Sequence, residues 1–241
     1  MKKSTITLLG GALFILLILL SAMIFFRYHA EQFVKRSRDN SSVLQAEGIT
    51  DTRAYDISDF DSLYFENMWD VEIYGSDNYS VEIEADKALL DIIEARKNGS
   101  TLSLTYDGYI RGLPDQSEVV KVKIGMPDIQ KIEFTGMGNI ELKNFDLNSL
   151  EVRNSGASNI EAEDVQITNL NLIVNGAANA DFEQIKVENC VLDISGAAKI
   201  GLNMTGGTLT GQVSGAASVN YRGKVSQQTV QVSGIGSLEH N

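Results

Sequence analysis

The chain has 241 residues, 43% apolar and 22% charged with only two prolines, enough for a membrane anchor and one sizeable globular domain. Its net charge of −12 is uneven, +5 over residues 1–38 and −17 over the remainder. So acidic a body repels phosphate backbones, which excludes nucleic acid as a partner. A single cysteine (Cys190) and two peripheral histidines (His29 and His240) leave no intramolecular disulfide or multi-thiolate metal site, little for a His-based one, and no cofactor to expect.

Residues 1–5 are a short tail. Ile6 to Phe26 are 21 uncharged positions rich in Leu and Ile, between Lys2-Lys3 and Arg27. At about 1.5 Å per residue they span a hydrocarbon core of roughly 30 Å, so 6–26 is predicted to be a transmembrane helix. A signal peptide has a shorter apolar region and a small-x-small site, whereas Leu20-Ser21-Ala22 begins with Leu, so the anchor is expected to remain uncleaved. No cysteine follows the run to receive lipid. For orientation, Lys2, Lys3 and the terminal amine stand against Arg27, Lys35, Arg36 and Arg38, a count that leans towards a cytoplasmic carboxy-terminal domain. Residues 27–51 read as a polar linker.

Residues 52–128 look like an irregular cap with degenerate first coils of the repeat described below. Phe60 to Asn67 parallels Leu147 to Asn154, and Asp70-Val71-Glu72-Ile73 parallels Asn159-Ile160-Glu161-Ala162 with two residues deleted between. Alternating Ser80 to Glu84 predicts a strand, Lys87 to Asp91 a short helical piece, and Asn98-Gly99 a hairpin turn into Leu102-Ser103-Leu104. Val120 to Ile124 predicts another strand. Trp69, Tyr64, Tyr74, Tyr79, Tyr106 and Tyr109 cluster here, as cap filling or as a contact for a glycan or protein.

From 129 to 241 the sequence repeats. Gly136, Gly156, Gly176, Gly196, Gly215 and Gly234 each open a phrase such as Gly-Ala-Ser-Asn-Ile, at spacings of 20, 20, 20, 19 and 19. Residues two and four before each glycine, and four and six after it, are mostly apolar, the period of a strand. Asn139, Asn159 and Asn179 recur three residues after the glycine, as a small polar ladder at the corner. A helical repeat needs about 33 residues or more, so 20 residues holding two strands, a Gly-Ala corner and a third apolar stretch are one coil of a parallel β-helix. Equivalent residues then stack about 4.8 Å apart, with glycine at a corner where positive φ is free.

Stacking turns columns into candidate sites. Glu141, Glu161 and Asp181 form one outward column, and Lys143, Glu163 and Glu183 the next. Clustered carboxylates are candidates for a weak cation site or a docking face for a basic partner, against the ordinary reading of a solvated face. Asp181 and Asp164 with Arg153 could pose as the acids and helper of a carbohydrate-active enzyme, but no long loop interrupts the period to wall a cleft. Ser155, Ser195, Ser214 and Ser233 lack a nucleophile context, and Cys190 falls in the interior column of Leu150, Leu170 and Leu209. No capping helix follows the last coil, Thr229 to Leu238, which predicts end-to-end homo-oligomerisation.

The Phe-x-Ser-Leu strand, the Asn-Gly turn, the Val122 to Ile132 stretch with its Met-Pro-Asp step, and the Gly-Ala-Ser-Asn-Ile corners resemble the auto-transporter adhesin head GIN domain family, over residues 55–240. That resemblance implies a right-handed β-helix outside the cytoplasmic membrane of a bacterium, adhesin-like in role, with no catalytic residues to carry over. The expectation is therefore an all-β, single-pass, extracytoplasmic binding or structural module that is not an enzyme. The alternative is a cytoplasmic, membrane-tethered scaffold resembling the bactofilins in stacking end to end.

Overall fold

A strand that is apolar at every second position has one face to bury, and a repeat of strand-turn-strand offers each strand its own equivalent as a neighbour. The computed structural model describes residues 43–111 and 120–241 and has this arrangement. The predicted anchor 6–26 and most of the linker lie outside the described residues. Among those described, no helix is long and apolar enough to cross a membrane.

In chain order the elements are β1 (Val43–Gln45), β2 (Thr50–Tyr55), β3 (Ser62–Phe65), β4 (Met68–Gly75), β5 (Ser80–Asp86), α1 (Lys87–Leu90), β6 (Ile93–Asn98), β7 (Thr101–Tyr106), β8 (Tyr109–Arg111), β9 (Val120–Met126) and β10 (Lys131–Phe134). There follow β11 (Met137–Asn154), β12 (Ala157–Val174), β13 (Ala177–Ile194), β14 (Ala197–Thr205), β15 (Thr208–Val213), β16 (Ala216–Lys224), β17 (Gln227–Val232) and β18 (Ser237–His240).

β11, β12 and β13 each run 18 residues around nearly a whole coil and pair in parallel, in register: Ile140 on Ile160 on Ala180, and Leu150 on Leu170 on Cys190. In β12 the strict alternation of buried and exposed residues slips at Glu163-Asp164 and at Thr168-Asn169, where two consecutive side chains face solvent. These slips and the glycine corner divide the coil into three faces. No glycine marks the first slip; Asn144 and Asp164 turn it at φ 58° and 53°, a left-handed conformation that short polar side chains tolerate.

The chain does not climb the stack in order. β3 lies between β7 and β10, and β4 between β9 and β11, so the first coil in sequence is the second in space. Antiparallel strands close the amino-terminal end: β6 on β7, β5 on β9 and β2 on β5. The helix at Lys87–Leu90 and the Asn98-Gly99 hairpin stand where the sequence placed them.

One expected register is corrected. Leu63 stacks on Ile132 and so on Val152, and Phe65 on Phe134 and so on Asn154, two residues from the parallel drawn by sequence. Asn67 occupies the position of a corner glycine: its carbonyl accepts the Met137 N–H as that of Gly136 accepts the Ala157 N–H, and its φ is 82°. With Asn67 at the corner, Asp70 follows three residues later as Asn159 follows Gly156, and no deletion is needed.

Asp86 ties the cap together. Its buried carboxylate accepts the backbone N–H groups of Glu47 (3.2 Å), Gly48 (2.8 Å) and Ala88 (2.9 Å), joining the segment before β2 to the start of α1. Burial by itself would raise its pKa, but the backbone donors prevail and hold it below the ordinary aspartate value. Asp86→Ala is expected to cost about 2 kcal/mol, since hydrogen bonds to a charged group contribute about that much. A depressed folded-state pKa stabilises the fold above the unfolded value of about 3.9, and that contribution disappears as pH falls through the folded one. Urea midpoints of wild type and Asp86→Ala should therefore differ by a constant amount above about pH 5 and converge at lower pH.

Asn154 is the polar member of an apolar column that includes Phe134, Val174, Ile194 and Val213. It is buried; its Nδ2 donates to the Ala177 carbonyl at 3.0 Å, while its Oδ1 has no partner. An unsatisfied buried acceptor costs about 1–3 kcal/mol. Asn154→Val should therefore raise the stability measured by urea unfolding by about 1 kcal/mol.

Candidate functional site

The first faces of the coils belong to one continuous sheet, ordered β2-β5-β9-β4-β11-β12-β13-β14-β16-β18. Side chains alternate across a strand, so its outward positions line up in rows. In one row Asp70, Asn139, Asn159 and Asn179 stand side by side. In the next stand Glu82, Lys123, Glu72, Glu141, Glu161 and Asp181.

The amino-terminal part of this face is neutralised from within. Lys123 pairs with Glu72 at 2.9 Å, Lys143 bridges Glu141 (2.8 Å) and Glu72 (3.4 Å), and Lys121 meets Glu84 at 3.3 Å. Lys123 holds the Glu72 carboxyl below its usual pKa, against the effect of burial and with help from Lys143. A groove of about 340 Å³ opens here over Asp70, Glu72, Glu82, Glu84, Lys121 and Lys123.

Further along, the ion pairs stop, although Lys199 stands next to Asn179 in the first row and Arg222 donates to the Glu183 carbonyl. Among the described residues no Lys or Arg side chain pairs with Glu161, Glu163, Asp181 or Glu183. Asn159 donates to Glu161 at 2.8 Å, and Asp181 accepts the Glu183 N–H at 2.9 Å. No three carboxylate, His or Cys side chains among the described residues converge as a metal site. The reason is geometric: neighbours in a parallel ladder project side by side from a twisting sheet, and their oxygens do not meet at one point.

Asn179 Nδ2 donates to Asn159 Oδ1 at 2.7 Å, linking two of the three corner asparagines. A second ladder, at the Thr168-Asn169 corner, was not anticipated. There Asn189 donates to Asn169 (3.2 Å), Asn169 to the Asn148 carbonyl (2.9 Å), and Thr208 N–H to Asn189 (3.0 Å). Its sequence signal is an asparagine 13 residues after Gly156 and again after Gly176.

The six corner glycines also stack, for a reason different from the one expected. Only Gly215 and Gly234 have positive φ, 83° and 77°. At Gly156, Gly176 and Gly196 a Cβ would lie 1.8, 2.0 and 1.9 Å from the carbonyl oxygen of the corner glycine one coil before, and at Gly136 1.7 Å from that of Asn67. Close backbone approach, and not handedness of the turn, demands glycine there.

The proposed enzyme constellation does not assemble. Asp181 is on the first face and Asp164 at a corner, while Arg153 is on the third face, held by Glu151 at 2.6 Å. Trp69 is wholly buried, its indole N–H donating to the Glu66 carbonyl and its ring set edge-on to Tyr106 at 5.3 Å. Tyr74 bonds Ser80 at 2.9 Å and lies beneath Lys123, and the side chain of Tyr109 lies outside the described residues. Cys190 is fully buried, and burial pushes its thiol up to about 12.

The profile of the family described as "Putative auto-transporter adhesin, head GIN domain" matches residues 59–183 and 165–241. The chain belongs to this family. The two matches share residues 165–183, so this GIN-domain solenoid is recognised twice along its own repeat. Among solved structures, a "putative adhesin" from Bacteroides fragilis superimposes with a TM-score of 0.68 at 18% identity, covering 82% of this chain and 100% of that one. A "putative lipid binding protein" from Parabacteroides distasonis gives 0.55 at 17% identity, over 83% of this chain and 100% of that one. At such identities the likeness is one of fold. No curated protein matches the GIN-domain chain.

Proposed function

We propose that this chain is a bacterial envelope protein in which residues 6–26 anchor, and residues 27–51 link, a solenoid that serves outside the cytoplasm as a binding or structural module. A cell-surface glycan or protein is its partner, and it catalyses no reaction. The observation that carries the reading is the unbroken outward sheet. Ten strands lie side by side with polar ladders on the surface, and no inserted loop walls a cleft between Gly136 and Gly234. Such a face suits an extended partner that makes many shallow contacts. The family's adhesin-head description agrees with it. The coils wind right-handedly, as parallel crossovers do.

A second reading draws on one observation, the four bases Arg27, Lys35, Arg36 and Arg38 against Lys2 and Lys3, which favours a cytoplasmic, membrane-tethered scaffold. Protease treatment of cells bearing a carboxy-terminal tag separates the two, in spheroplasts where there is an outer membrane. Digestion of the tag without lysis supports the envelope module. Protection until lysis overturns it in favour of the scaffold.

A further inference from the structure

Among the described residues, the outermost strands on the two sides of the stack differ in character. At the amino-terminal end the outermost strands carry charge: β6 has Glu94, Arg96 and Lys97, and β2 has Asp51 and Arg53. Charged edge strands resist pairing with other chains. At the other end β17 reads Gln-Gln-Thr-Val-Gln-Val, with no charge, proline or glycine. Among the described residues β17 pairs only with β15, and β18 only with β16, so each has an outer row of backbone groups without a strand partner. Beside that row Val232 is 42% and Ile235 89% exposed, and Val230 and Leu238 are only partly buried. Residues 225–241 hold a single ionised side chain, Glu239, in a chain of net charge −12.

We propose that this edge binds a second copy of this chain, β17 pairing antiparallel with β17 of the second copy about a two-fold axis through Val230. The occupant follows from three features. Unpaired strand groups are filled by another strand. The acidic columns from Glu161 to Glu183 would repel their equivalents in a second copy, whereas the β17 edge meets its own without charge. A two-fold at Val230 sets positions 228, 230 and 232 opposite one another, interior facing interior, with Thr229 opposite Gln231 on the outside. Gln228 is already engaged there, its Oε1 accepting the Tyr221 hydroxyl. The charged antiparallel cap at the other end leaves no complementary surface for head-to-tail growth. The assembly therefore closes as an isologous dimer, one form of the end-to-end homo-oligomer expected from the sequence.

The test uses the full chain in detergent micelles, with mass measured by light scattering across a concentration series. Wild type should pass from monomer to dimer. The variant T229K/Q231K, which adds charge at two solvent-facing positions, should dimerise at least tenfold more weakly while keeping its circular dichroism. Val230→Cys should form a disulfide-linked dimer on mild oxidation, since the other thiol, Cys190, is buried. A wild type that stays monomeric throughout overturns the proposal. So does a dimer that T229K/Q231K leaves intact, since association would then arise elsewhere, for example through residues 6–26. A dimer that Val230→Cys fails to cross-link overturns the β17 pairing.

Discussion

Gly156→Ala is expected to lower stability by at least about 3 kcal/mol, because overpacking against backbone has no flexible side chain to yield. The added Cβ would sit 1.8 Å from the Gly136 carbonyl oxygen, and that same oxygen accepts the Ala157 N–H at 2.9 Å. Relief of the clash must lengthen the bond that stacks one coil on the next. Stability in a solenoid is a sum over neighbouring coils, so a local separation weakens both sides of the break. The control is the residue that follows the next corner glycine, Gly176. Ala177 is exposed at the same corner one coil later, and Ala177→Ser should stay within about 0.5 kcal/mol of wild type. Urea unfolding followed by circular dichroism measures both; equal midpoints for Gly156→Ala and wild type would refute the close-approach account.

Trp69→Ala should cost about 3–5 kcal/mol, the range for truncating a buried tryptophan. Trp69 occupies an interior column whose later members are Gly138, Ser158, Ala178, Ala198 and Ala217. Those residues are small because the column lies just inside the tight glycine corner; a Cβ on Gly138 would be 1.8 Å from the Trp69 carbonyl oxygen. The indole packs against Phe65 in its own coil and against Tyr106 at the end of β7 in the neighbouring one. Removing it opens a cavity between two coils and leaves the Glu66 carbonyl without its indole donor. As the only tryptophan, it reports on itself: wild-type emission should be blue-shifted and resistant to iodide quenching. Ready quenching in the folded protein would place the ring at the surface and revive the aromatic-contact reading.

The regular coils were legible in the sequence because each contains its own evidence. A glycine every 19 or 20 residues, with alternating apolar columns on both sides, states the period, the inward faces and the stacking partners together. Cys190 could be assigned to the core on that basis alone, and the asparagine ladder to the corner. Legibility fell where the marker residue changed. Asn67 stands in for glycine, so the first coil was set two residues out of register, and Asn144 and Asp164 turn a corner that no glycine announces. The candidate site divided in the same way. Stacking of Glu141, Glu161 and Asp181 followed from the period, but the period assigns no face to Arg153 relative to Asp181, nor lysines to some carboxylates and none to others.

By itself, then, the sequence determined the solenoid, its period, its buried columns and the acidity of its body, since these depend on residues repeated at fixed spacing along one chain. Only the tertiary structure decided that the second coil in space comes first in sequence, that an antiparallel, charged cap closes one end, and that an uncharged edge is left at the other. The physical reason is that strand pairing is a contact between backbones. Any strand of suitable length can satisfy it, so the choice among β7, β10 and β11 as neighbours of β3 rests on how the whole cap buries its apolar side chains, and not on a pattern within any one strand.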